Sequence, residues 1–182
     1  MDTLAEILRD QDGLVSRRQL RDLRLRQHDL ERMLRRRELA VVHPGVYVEH
    51  TGPLTWIQRA WAGVLYAWPA ALTHSSAVRA AEGPGRRGGD DRMIEVAVDV
   101  QRNRAEPDDV RIRRVRGFQE RVQWNLGPPR VRYDDAIIDV AADASTDLDA
   151  VTALADACGS RRTTAARLLD TVMSSSLDVT SR

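Results

Sequence analysis

An α+β fold is the class the sequence predicts, and three observations support it. The first fifty residues carry the punctuation of three short helices followed by a β-hairpin. Between Met93 and Trp124 the apolar residues recur with the two-residue period of strands. From Asp134 onward the helical period returns.

The opening elements follow in order. Thr3-Leu4-Ala5-Glu6 is a capping box, in which the Thr3 hydroxyl and the Glu6 carboxylate each serve an amide the helix cannot. Leu4, Ile7 and Leu8 form the apolar stripe, and Gly13 ends the turn that follows. Ser16-Arg17-Arg18-Gln19 is a second box, with Val15 and Leu20 in the positions of a hydrophobic staple. It predicts a helix from Arg17 to Leu23. A third helix is predicted from Gln27 to Arg37, with Leu30, Met33 and Leu34 as its buried side. At about 100° per residue its opposite side carries His28, Arg32 and Arg35, with Arg36 beside them and Asp29 and Glu31 on the flanks. Leu39–Val42 reads as a strand, His43-Pro44-Gly45 as a turn and Val46–Val48 as the returning strand.

Helices followed by a hairpin in this order predict a winged helix-turn-helix over residues 1–50. In that fold the third helix enters the major groove of DNA and the wing meets the backbone. Arg32 and Arg35 are then the candidates for guanine, whose O6 and N7 one guanidinium reaches together. Arg17, Arg18 and Arg36 are candidates for phosphates, with Gln27, His28 and His43 completing the expected DNA-binding set. Two positions depart from an ideal motif. Arg24 stands where a tight turn favours Gly, and Arg26 where helix three favours a Ser or Asp cap.

Charge along the chain agrees with a polyanion partner for the first part. Residues 17–37 hold nine Arg against three acids, residues 102–132 nine Arg against four, and residues 134–182 nine Asp against four Arg. The overall charge of +1 conceals this division into two basic regions and an acidic one. All 28 basic residues are Arg, which excludes P-loop, Schiff-base and PD-(D/E)xK chemistry. Cys158 is the single cysteine, so neither an internal disulfide nor a cysteine zinc site is expected, and a reducing cytoplasm fits. The apolar run from Leu54 to Leu72 is broken by Gln58, Arg59 and Pro69 and reads as a buried helix rather than a membrane span.

The second lobe is predicted over residues 51–173 as a mixture of helices and a small sheet. Thr55-Trp56-Ile57-Gln58 is a third capping box and opens a helix to Ala67 that is apolar nearly all round, and Thr73 caps another from His74 to Glu82, ended by Gly83. Residues 83–92 read as a Gly- and Arg-rich surface loop. Met93–Val100 predicts a half-buried strand with Ile94, Val96, Val98 and Val100 inward, partnered by Val110–Val115 and Val122–Trp124, with Arg111 and Arg113 on an exposed face. Asp134 and Asp135 begin a helix, Asp147 caps a second that Gly159 stops, and Thr163–Met173 forms a third. This helical tail is expected to fray over residues 174–182.

Several of these segments resemble the AbiEi-type antitoxins of type IV toxin–antitoxin systems. Gly13-Leu14-Val15-Ser16-Arg17 and Val42-His43-Pro44-Gly45-Val46-Tyr47 are similar to the winged-helix domain of that family, the His43–Tyr47 stretch being the most specific part. Leu54-Thr55-Trp56, Leu72–Ala77 and Ile94-Glu95-Val96 resemble the region that follows it in actinobacterial relatives. The likeness covers roughly residues 4–173. It implies a winged helix that represses its own operon and an antitoxin that counters a nucleotidyltransferase toxin. Longer relatives continue into an endonuclease-like domain, so the chain reads as a short variant or a fragment. Arg24 and Arg37 replace glycines usual in the family at the two ends of helix three.

The expected partners are thus operator DNA, a cognate toxin and a second copy of the chain, with no cofactor, metal or membrane. Two other classes compete. One is a protein-interaction module whose second lobe binds a toxin without specific DNA contact. The other is a nuclease, for which Glu95, Asp99, Asp134 and Asp135 are loose candidates without a catalytic base.

Overall fold

The computed structural model describes residues 3–83 and 92–180, with side chains as far as Ser174. Residues 84–91, the centre of the expected Gly- and Arg-rich loop, lie outside the described residues. The chain folds as α+β, with helices packed around two small sheets.

The first unit runs α1 (Leu4–Asp10), β1 (Leu14–Ser16), α2 (Arg17–Asp22), α3 (Gln27–Arg35), β2 (Ala40–His43) and β3 (Val46–Val48). The two capping boxes predicted in this unit form, at Thr3 with Glu6 and at Ser16 with Gln19. β1 was not legible in the sequence. It makes the sheet three-stranded, in the order β1-β3-β2 and antiparallel throughout.

Strand alternation gives this sheet two different faces. Val15 and Tyr47 turn toward the helices, where they join Leu20, Leu30 and Leu39, so the expected staple pair Val15 and Leu20 share one cluster. Leu14, Val46 and Val48 turn the other way, onto Trp61, Ala62 and Leu65 of α4 (Trp56–Ala67). The packing of the sheet therefore continues across the division expected near residue 50. Asp12 fastens the same junction, accepting from Trp61 Nε1 at 3.1 Å and, through its carbonyl, from Gln58 Nε2 at 3.0 Å.

Beyond α4 come β4 (Ala71–Leu72), α5 (His74–Glu82), β5 (Ile94–Asp99), β6 (Val110–Val115), α6 (Phe118–Arg121), β7 (Val122–Gln123) and β8 (Arg130–Val131). The sheet order is β6-β5-β4-β8-β7. β5 pairs with β6, the partner the sequence suggested, and does so in parallel, but β7 pairs with β8 rather than with β5. β4 and β8 are two residues each, too short to show a period, and they supply the missing centre of the sheet. Ile94, Val96 and Val98 are buried as predicted, whereas Val100 lies past the strand and is 41% exposed. Ala97 is buried too, so the strand is covered on both faces rather than half-buried. α4 closes on one face at Gly63, where a Cβ would lie 3.2 Å from Ile94 Cγ2.

The tail is α7 (Tyr133–Ala142), α8 (Asp147–Gly159) and α9 (Ala165–Thr180). Thr146, not Asp147, caps α8: its hydroxyl accepts from the Asp149 amide. The cap is a hydroxyl one residue earlier, which leaves Asp147 in the first turn. α9 continues to Thr180, so the expected fraying from residue 174 gives way to helix. No helix among the described residues is long and apolar enough to cross a membrane.

Candidate nucleic-acid interface

α3 carries its basic side chains where the 3.6-residue period puts them. Leu30 is buried at 5% exposure with Met33 and Leu34 packed behind it, and His28, Arg32, Arg35 and Arg36 are exposed on the far side. α2 enters beside it. Arg17 Nη2 donates to Gln27 Oε1 at 2.6 Å, tying the first turn of α2 to the first turn of α3. The Arg17 amide also donates to the Gly45 carbonyl at 2.8 Å, which draws in the β2–β3 turn. Thus Arg17, Gln27 and the hairpin turn meet at one corner of the surface.

The stripe on α3 is less free of acid than its helical wheel suggests. Asp29 Oδ2 accepts from the Arg26 amide at 3.0 Å and so supplies half of a capping box. Its other oxygen lies 3.4 Å from both His28 Nε2 and Arg32 Nη2. Arg36 approaches Glu38 at 3.7 Å, and Gln27 Nε2 holds Glu31 at 2.9 Å. Arg35 pairs with none of the described acids and is the freest cation of the group. Arg18 lies over the Trp68 ring at 4.9 Å while keeping a 4.0 Å approach to Asp22.

His43 does not join this surface. It closes β2 instead of opening the turn, and it is only 7% exposed. The register slips by one residue between Val41 and His43, so His43 lies opposite Val46 and shares its face, toward α4. Its ring packs against Tyr66 with centroids 5.4 Å apart, and Nε2 faces Asp109 Oδ1 at 3.8 Å. Burial lowers the His43 pKa, against a smaller opposing pull from Asp109. The DNA contact expected of His43 is corrected to a buried contact with Tyr66 of α4 and Asp109.

Two backbone oddities frame α3. Arg24 has φ +63° and Arg37 has φ +59°. Both occupy the left-handed region that the sequence marked as suited to Gly, so the turns keep their shape without the glycines.

A separate, partly buried polar cluster forms around α5 and β5. His74, with φ +46°, sets Nδ1 3.1 Å from the Thr73 hydroxyl and Nε2 3.5 Å from Asp143. Arg113 bridges Glu95 at 3.2 Å and Asp143 at 2.7 Å, which removes it from the exposed face expected for it. Glu95 also accepts from the Ser75 hydroxyl at 2.7 Å. Burial lowers the His74 pKa against opposing pulls from nearby carboxylates, that of Asp139 being the largest, and burial raises the pKa of Asp139 itself. Asp134 pairs with Arg167, and Asp135 with Arg121 and Arg132. Of the four loose nuclease candidates, Glu95, Asp134 and Asp135 are thus engaged by Arg, and Asp99 accepts from the Gln101 amide at 2.9 Å. No group of three or more His, Cys, Asp or Glu among the described residues could hold a metal.

Trp68, Trp124 and the loop around Arg102 gave no functional signal in the sequence, because tryptophan and arginine spacing does not reveal which lobe they face. No protein-family model matches the chain, and a comparison with curated proteins finds no match.

Proposed function

We propose that the N-terminal unit is a winged helix-turn-helix that reads duplex DNA through α3 and controls transcription from the cytoplasm. The observation that carries this reading is the exposed His28/Arg32/Arg35 face, joined at Arg17 and Gln27 to the first turn of α2 and to the hairpin turn. Arg32 and Arg35 reach base edges, and Arg17, Arg18 and Arg36 hold phosphates. The protein acts by binding, without catalysing a reaction. The resemblance to AbiEi-type antitoxins supports autorepression of a toxin–antitoxin or phage-defence operon. Replacing Arg32 and Arg35 together by Ala tests it. The account requires operator binding to disappear while the melting curve stays in place, and intact binding by the double variant refutes it.

A second reading has its own observation. Leu148 and Val151 on α8 and Leu169, Val172 and Met173 on α9 are 43–74% exposed, an unusual apolar display for a helical tail. It favours a protein partner, such as a toxin, for the second lobe. Recovery of a defined partner that survives nuclease treatment and is lost in Leu169→Asp supports that role; a partner lost with nuclease treatment refutes it.

A further inference from the structure

The two basic regions of the chain are 65 residues apart in sequence, counted from residue 37 to residue 102. A short relay of side chains joins them in space. Arg18, in the first turn of α2, lies over Trp68 at 4.9 Å. Trp68 meets Trp124 edge-on at 5.7 Å, and Trp124 meets Phe118 edge-on at 5.6 Å. Phe118 is 1% exposed and anchors the relay in the core, whereas Trp124 is 37% exposed.

Arg116, two residues before Phe118, is exposed and pairs with none of the described acids, as is Arg114 at the end of β6. Gln123 and Asn125 flank Trp124 and are exposed as well. An exposed indole edge, exposed amides beside it in the chain, and two guanidiniums without acid partners among the described residues shortly before Phe118 have together the composition of a surface that tracks a nucleic-acid backbone. Arg102 holds the backbone that carries Trp68, since its guanidinium donates to the carbonyls of Ala67, Trp68 and Pro69 at 2.8–2.9 Å.

We infer that the DNA footprint does not end with the winged helix: the duplex continues past Arg18 onto the second lobe, where Arg116 and the exposed edge of Trp124 meet its sugar–phosphate backbone. The inference rests on the DNA-binding reading above and adds a second contact area to it. That area carries no base specificity, because it offers charge and an aromatic edge rather than a matched donor–acceptor pattern.

The test compares two promoter duplexes, one trimmed to the site that α3 protects and one extended by about one helical turn (~10 bp) on each side. Anisotropy titrations over a salt series use the wild type, Arg116→Ala and Trp124→Phe, the latter keeping an aromatic ring between Trp68 and Phe118. The wild type should bind the extended duplex more tightly. Arg116→Ala should lose about fivefold at 0.15 M salt on that duplex alone, with the slope of log K against log salt shallower by about one. Trp124→Phe should weaken the extended complex by a few fold. Unchanged binding of the extended duplex by Arg116→Ala overturns the inference, and so does an equal loss on both duplexes. If Arg32→Ala/Arg35→Ala still abolishes binding in that event, the winged-helix reading survives. Absence of wild-type binding to either duplex ends both.

Discussion

Asp29 divides its carboxylate between two duties. Oδ2 accepts the Arg26 amide at 3.0 Å and secures the start of α3, while Oδ1 lies 3.4 Å from Arg32 Nη2, on the face proposed for DNA. The helix gains a cap, and the reading face loses part of a positive charge.

Removing only the charge separates these duties. In Asp29→Asn the side-chain oxygen can still accept from Arg26, but Arg32 is released. Operator affinity should rise several fold at low salt, with a steeper salt dependence and little change in melting temperature. Equal affinity in salt-matched titrations would show that the Arg32 guanidinium is not used.

Arg24→Gly and Arg37→Gly should each stabilise the protein. An L residue in the left-handed region costs about 1–2 kcal/mol. Glycine relieves that cost and gives back about 0.4–1 kcal/mol through its looser unfolded chain. The net gain expected is about 0.5–1 kcal/mol per site by urea denaturation, and a lower urea midpoint in both variants contradicts it.

Arg102→Ala should be the most damaging single change at the junction beyond α4. Three carbonyls, those of Ala67, Trp68 and Pro69, lose a charged donor at once. Hydrogen bonds to charged groups contribute about 1.5–3 kcal/mol each, and water replaces some of them, so a loss of about 3 kcal/mol is expected. Chemical denaturation measures it, and a loss below about 1 kcal/mol would mean that solvent serves those carbonyls as well.

Stability should fall as the pH drops through 6.5. Burial lowers the pKa of both His43 and His74 below the ordinary imidazole value of 6.5. The unfolded chain then binds more protons than the folded one, so the stabilising effect of the neutral imidazoles is present above 6.5 and lost below it. Each contributes a slope of up to about 1.4 kcal/mol per pH unit. Asp139, raised by burial, acts in the opposite sense at lower pH. His43→Gln should flatten the decline between pH 7 and 5; an unchanged profile assigns the effect to His74 alone.

Elements with local signals were legible in advance. The boxes at Thr3, Ser16 and Thr55 all form because each needs only residues three apart. The stripe on α3 was legible for the same reason. Elements that depend on distant partners were not. β1 is three residues wedged between helices and exists because Leu14, Val15 and Ser16 find β3. β4 and β8 hold two residues each and owe their strand character to the sheet around them. At the site, the sequence placed seven of its eight expected DNA-binding residues on an exposed surface and misplaced His43. A one-residue slip in the hairpin register decides which face His43 takes, and no local pattern encodes that slip. The reach of Asp29 into the stripe was hidden likewise, because a helical wheel assigns angles to Cα positions and not to the ends of side chains.

The central claim is that α3 reads duplex DNA, and one titration addresses it most directly. Fluorescence anisotropy of the wild-type chain should be followed against its own promoter fragment and a scrambled duplex of equal length, across a range of salt. The account predicts tight binding to the promoter, binding to the scramble weaker by at least about 10³-fold, and steep loss of both with salt. Equal and weak binding to the two duplexes would contradict it and move the function to the protein partners of the second lobe.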